Sequence, residues 1–291
     1  MPDWVSHIGT AYLGGRFAGI IEIQFVLLGA VLPDVVMPVF VAVDLWHYPL
    51  SHYEFAYLLA FQSLFIVSLL AAGLAMLHAY KFRCFLLIFV GALSHFILDV
   101  LETDIDCGLR IFYPFSYWSW SPGLLKPGEP LTAALLGIST LAIVFALIQS
   151  GLKPIHLQLQ RRNVSCAVIL VSAAIVFPLT TRKTIIVNNV HSLSFLGDPV
   201  AWKNRTVDLC FTEVIGSNPV VVRELGTNFE LASSDNLTIG EIISVRGVYR
   251  EGKIYPSRLY KHKGFSDAWI SLAGLVALLC LFISGRVKLA H

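Results

Sequence analysis

A helical membrane protein of about six spans that carries a small all-β domain on the outer side is the fold class the sequence predicts. Three observations lead there. Of 291 residues 56% are hydrophobic and only 14% charged, against roughly a quarter charged in an ordinary soluble domain. The mean hydropathy of +0.72 comes from uncharged runs of about 18 to 25 residues, the length that crosses a ~30 Å hydrocarbon layer. After residue 181 the apolar runs stop, and about 80 residues of alternating pattern follow before one last apolar run.

In chain order the candidate spans are Ile20 to Val43, Phe55 to Ala79, Cys84 to Leu101, Leu131 to Ser150, Val164 to Thr180 and Ala268 to Ser284. The first residues, Met-Pro-Asp-Trp, have no basic segment before an apolar run, so a cleaved signal peptide is not expected. Cations stand close to the spans at every second connection: Arg16, then Lys81 and Arg83, then Lys153, Arg161 and Arg162, then Arg286 and Lys288. The positive-inside rule makes those connections cytoplasmic and turns residues 44–54, 102–130 and 182–267 outward. The expected division is a helical membrane domain (1–181), a soluble β domain (182–267), and a final helix with a short cytoplasmic tail (268–291). The protein is thus expected in the cell membrane with its β domain extracytoplasmic. The five cysteines form no CxxC pair, which excludes a zinc ribbon; Cys84, Cys166 and Cys280 lie in or beside apolar runs, whereas Cys107 and Cys210 fall in polar segments and could pair.

Within the β domain the strand candidates are Thr184 to Val190, Thr206 to Glu213, Pro219 to Leu225, Ile242 to Tyr249 and Lys253 to Tyr260. Each alternates apolar and polar residues and is rich in β-branched side chains, and Arg250-Glu251-Gly252 reads as the turn of a hairpin. The stretch ISVRGVYREGKIYPSRLYKHKG resembles the third and fourth strands of an OB-fold, which implies a small barrel. Such barrels often bind nucleic acid, but a formal charge of +2 for the whole chain and an outward placement argue against that partner; a protein or a glycan is the alternative.

The chemically informative residues are ionisable groups within or beside apolar segments, each costing about 3 kcal/mol or more at the bilayer centre unless paired, solvated or bound to metal. They are His7, Asp34 after Pro33, His47, His52, His95 and Asp99. His95 and Asp99 are four residues apart on a helical run, so they share a face about 5 to 6 Å apart at Cβ, a spacing that closes on one cation. Pro33 interrupts the helix beside Asp34. His47 and His52 bracket HYPLSH at the outward end of the third span. A span rising from Arg16 would leave His7 inside; a half-length helix from about Trp4 to Gly14, re-entering the membrane, would bring it back to the others. Beyond Asp99, the carboxylates Asp104 and Asp106 are solvated loop charges or a catalytic base. A buried ion pair holding helices together is the non-catalytic account of His95 and Asp99.

Taken together, MPDWVSHIGTAYLGG, LLGAVLPDVV, HYPLSH, LSHFILDVL and GLRIFYPFSYW resemble the YdjM-like family of membrane-bound proteins regarded as metal-dependent hydrolases. The resemblance covers roughly residues 1 to 125, and the family is in turn distantly similar to zinc-dependent phospholipase C. It implies metal-ligand roles for His7, Asp34, His47, His52, His95 and Asp99, and aligns Tyr113, Pro114, Phe115 and Ser116 with a turn of no established chemistry. Tyr48 and Ser51 stand where many relatives have Arg and Thr, which removes positive charge from a phosphate-binding loop. The expected function is a membrane-embedded metal-dependent hydrolase with a divalent cation, zinc by first choice, acting on a phosphoester of a lipid or lipid-linked substrate. The rival is a membrane scaffold or receptor whose β domain binds a protein or glycan, the His/Asp cluster being structural. A cation carrier is disfavoured because the second half does not repeat the motif in inverted form, and no P-loop is present for nucleotide coupling.

Overall fold

Local signals in the chain set the helix ends of the membrane half. In the computed structural model the described residues are 4–39, 42, 51–101, 109–118, 122–125, 129–149, 155–188, 192–232, 236–262, 266–284 and 288–289. Helix α1 (Trp4–Phe17) stops where Gly19 adopts φ +69°, a conformation open to glycine because it has no Cβ. Helix α2 (Ile23–Val31) passes into one 3-10 turn, Leu32–Asp34, in which Pro33 supplies no backbone N–H. Helix α3 (His52–Leu59) is opened by a reciprocal cap: Ser51 Oγ accepts the Glu54 N–H at 3.3 Å, and the Glu54 carboxylate accepts the Ser51 N–H at 2.8 Å. Helix α4 (Leu64–Met76) starts at Ser63, whose hydroxyl accepts the Ile66 N–H. There follow α5 (Lys81–Val100), α6 (Pro130–Ile148), α7 (Arg161–Asn188), α8 (Ser192–Gly197) and α9 (Ser266–Ser284).

Among the described residues α5, α6 and α7 are each long and apolar enough to cross a membrane, and α3 with α4 makes a fourth crossing if taken as one bent span. Six are expected from the sequence; among the described residues three or four meet the length and composition of a span, the helices Ile23–Asp34 and Leu272–Leu281 being shorter and the run from Phe55 counting only as a bent pair. The run from Ile20 is interrupted at Pro33, and the run from Phe55 bends by 61° between Leu59 and Leu64. At that second break the freed Leu64 N–H donates to the Ile111 carbonyl at 2.9 Å, so the irregular backbone is satisfied by protein rather than by lipid.

Small residues let the helices approach. A Cβ on Gly29 of α2 would overlap the Ile88 carbonyl oxygen of α5, and a Cβ on Gly91 of α5 would overlap the Val26 carbonyl oxygen of α2. Glycine at both places allows backbone-to-backbone contact. Helix α1 lies against α6 where Gly9 faces Ser139, and against α9 where Gly274 faces Trp4 and Val5. One apolar core joins α2, α4, α5 and α7 with the 111–117 turn, and a second gathers α1, α2, α6 and α9.

The strands form a closed five-stranded barrel of β1 (Thr206–Ser217), β2 (Val220–Glu224), β3 (Thr227–Leu231), β4 (Ile242–Arg250) and β5 (Lys253–His262). The strands run in the order β1-β2-β3-β5-β4, with β4 closing on β1. Bulges supply the curvature: β1 shifts register between Leu209 and Thr212, where Phe211 takes φ +54°, and β4 shifts against β5 at Arg246/Gly247. Two-residue turns with both φ positive, Leu225-Gly226 and Glu251-Gly252, join β2 to β3 and β4 to β5. From α8, Phe195 enters the barrel core, stacking on Phe229 at 4.7 Å and meeting Tyr249 edge-on.

Two strand assignments are corrected. Thr184 to Asn188 extend α7 instead of forming a strand, because Ile185 is buried in the helical core and this packing overrides the β preference of a Thr-Ile-Ile-Val run. The segment resembling the third and fourth strands of an OB-fold forms the fourth and fifth here, since β3 precedes it.

Candidate metal centre

The two glycine contacts between α2 and α5 place His95 beside the α2 backbone. Its Nδ1 donates to the Ala30 carbonyl at 2.7 Å, which fixes the ring and leaves Nε2 as the lone-pair nitrogen. One helical turn later on the same face, Asp99 Oδ2 is 3.0 Å from that Nε2. Its other oxygen, Oδ1, lies 3.4 Å from Nε2 of His7, which α1 delivers from the opposite side. The two imidazoles stack with centroids 3.8 Å apart and planes 13° from parallel. Asp34, carried on the 3-10 turn after α2, brings Oδ1 to 3.7 Å from His95 Nε2.

Ligand atoms of His7, His95 and Asp99 all fall within 4.8 Å of one another, a spacing that could hold a metal ion. Ligands at about 2.1 Å on the corners of a tetrahedron stand roughly 3.4 Å apart, close to the 3.0, 3.4 and 3.7 Å separations here. Burial strengthens the case. His7 and His95 are 0% exposed, Asp34 1% and Asp99 6%, yet both nitrogens of His7, Nε2 of His95 and both oxygens of Asp99 have no hydrogen-bond partner. An unsatisfied buried polar atom costs about 1 to 3 kcal/mol, so His7 Nε2, His95 Nε2 and the two Asp99 oxygens, which face one another, call for a group that satisfies them together. The charge-bearing partners of both carboxylates among the described residues are these two imidazoles. Two carboxylates and two neutral imidazoles sum to a charge that a divalent cation cancels, and the mixed nitrogen and oxygen donor set suits zinc.

Of the residues singled out from sequence, the fold therefore unites His7, Asp34, His95 and Asp99. The half-length helix expected for His7 is α1. His52 opens α3, its side chain being outside the description, and His47, Asp104 and Asp106 lie outside the described residues. Two participants were missed. Trp4 Nε1 donates to Asp34 Oδ2 at 3.1 Å, and Gln62 Nε2 donates to Asp34 Oδ1 at 3.0 Å. Gln62 had a visible signal, a lone amide inside LLAFQSLFIV; Trp4 had only its place one turn before His7.

Tyr113, from the aromatic turn noted in the sequence, is buried and hydrogen-bonds through its hydroxyl to Thr181 Oγ1 of α7. It is a brace between the turn and α7.

A model of the family described as "YdjM inner membrane protein" matches residues 4–185. The match contains every residue of the buried cluster and stops before the barrel. No curated protein and no solved structure matches the chain.

Proposed function

The chain belongs to the YdjM inner membrane protein family, and from that membership together with the buried cluster we propose that it is a membrane-embedded, metal-dependent hydrolase acting on a phosphoester of a lipid or lipid-linked substrate. The observation that carries the proposal is the convergence of buried ligand atoms from His7, His95 and Asp99, without hydrogen-bond partners, beside Asp34. A divalent cation held there would lower the pKa of a bound water and polarise the ester oxygen. The protein's part is to hold the donors. His95 is locked by Ala30, Asp99 is shared between two imidazoles, and Asp34 is held by Trp4 and Gln62. His47 or His52 would complete the ligand shell, and Asp104 or Asp106 would act as base. A substrate reaching such a depth from the side is one that already resides in the bilayer.

A structural metal is the second reading. What favours it is that the cluster sits where α1, α2 and α5 meet, with every member nearly sealed from solvent, so that a cation would cross-link three elements. The two readings separate in one experiment. The protein is purified in detergent without chelator or His tag, alongside His95→Ala/Asp99→Ala. Bound metal is measured by elemental analysis, thermal melts are run in parallel, and a phosphoester panel is tested. About one equivalent of zinc in the wild type, lost in the variant with the melt retained and phosphoester turnover abolished, is the expected result. Metal loss with collapse of the melt identifies a structural ion. Absence of metal from the wild type removes the hydrolase reading.

The barrel we read as an OB-like, extracytoplasmic module, with a protein as its partner. Support for that side comes from Cys210 on β1, which is disulfide-bonded, a state that belongs to oxidising compartments. Cys84, Cys166 and Cys280 are free, and Cys107 lies outside the described residues.

A further inference from the structure

We infer that Trp4 and Gln62 are positioning residues for the cation, acting through Asp34; this rests on the metal-site reading above. Asp34 is 1% exposed, and each of its oxygens takes one donor: the indole N–H of Trp4 on Oδ2 at 3.1 Å and the amide N–H of Gln62 on Oδ1 at 3.0 Å. A carboxylate oxygen has two acceptor positions, so Oδ1 keeps one beyond Gln62 and lies 3.7 Å from His95 Nε2. Both donors are neutral. An indole and an amide fix the carboxylate without cancelling its charge, whereas a lysine or arginine there would compete with the cation for it.

Each donor also comes from a different element. Trp4 stands three residues before His7 on α1, so its bond to Asp34 ties the helix that delivers His7 to the turn that delivers Asp34. Gln62 stands in the 61° break between α3 and α4, where leaving the helix frees its side chain to reach inward. The broken span thereby gains a purpose that its apolar composition does not reveal.

The test measures zinc affinity of the full-length protein in detergent by competition with a chromophoric chelator, with melts of the metal-free forms. Trp4→Phe keeps a ring and removes the N–H; Gln62→Met keeps length and removes the amide. Each is expected to raise the zinc dissociation constant about 10- to 100-fold, the usual effect of losing a group that orients a ligand, while the metal-free melt stays put. In an Asp34→Asn background the same substitutions should add nothing further, because their effect passes through the carboxylate. A packing role would instead lower the metal-free melt and add independently to Asp34→Asn, which overturns the inference. So does wild-type affinity in both variants, with the metal site itself left standing. No zinc in the wild type overturns the metal site and this inference together. Should Trp4→Phe not fold, Gln62→Met decides the question alone.

Discussion

Adding one methyl group at Gly29 should loosen the proposed metal centre, which the methyl never touches. In Gly29→Ala the new Cβ overlaps the Ile88 carbonyl oxygen, and restoring an ordinary C···O separation of about 3.3 to 3.6 Å moves α2 and α5 apart by roughly 1.5 Å. The His95 Nδ1 to Ala30 bond, now 2.7 Å, then passes the ~3.2 Å limit of a good N–H···O bond. Overpacking costs about 1 to 3 kcal/mol and a buried donor left without its acceptor about 1 to 3 more, so a destabilisation of roughly 2 to 6 kcal/mol is expected. With His95 free to turn, zinc affinity should fall about 10- to 100-fold. Gly91→Ala strikes the mirror contact on Val26 and should behave alike. The control is Gly137→Ala in α6, where nothing lies within 4 Å of the added carbon; there helix propensity predicts a neutral or slightly stabilising change. Thermal melts and chelator competition read both quantities. A Gly29→Ala protein that melts and binds zinc like the wild type would refute the close-approach account.

Other expectations concern the barrel. If Cys210 is bonded as described and Cys84, Cys166 and Cys280 are free, alkylation of the denatured, unreduced protein followed by mass measurement should add three labels, and reduction beforehand should raise that to all five cysteines of the chain; five labels without reduction would remove the support for an outward barrel. Gly252→Val, at φ +80° in the β4–β5 turn, should destabilise the barrel by about 1 to 2 kcal/mol, seen as an earlier loss of its β signal on heating. Bonded by the Thr238 N–H and by Lys261, the half-buried Glu241 is held below its ordinary pKa. A depressed carboxylate stabilises the fold above its unfolded value and loses that contribution as the pH falls through the folded one, so Glu241→Gln should make the barrel's acid transition slightly less steep below about pH 4; an unchanged profile would remove this contact from the account.

The buried cluster was more legible in the sequence than the breaks in the apolar runs. His7, Asp34, His95 and Asp99 stand out because a charge in an apolar run costs too much to be idle, and that holds whatever the exact fold. Counting spans from hydropathy assumes that an apolar run is one straight helix. The assumption fails at Pro33 and at Gln62-Ser63, the two places where the chain bends to present Asp34 and its donor. The expected total of five strands was reached with a different set: Thr184 to Asn188 went to α7, and β3 went unnoticed because Thr-Asn-Phe-Glu-Leu has little β-branching, although Leu225-Gly226 before it marks a turn. Trp4 carries no such signal, since nothing local shows that its N–H reaches a residue thirty positions away.

The length of α7 sets a height. Its 28 residues rise about 42 Å, whereas the hydrocarbon layer is about 30 Å thick, leaving some 12 Å standing clear of it. Arg182 and Lys183 lie in the last two turns, where their cations suit a headgroup layer better than acyl chains. The helix is therefore a mast as well as a span, long enough to carry its own far end beyond the acyl chains. Removing one turn from it would bring that end about 5.4 Å closer to the bilayer, so reach is encoded in residue number.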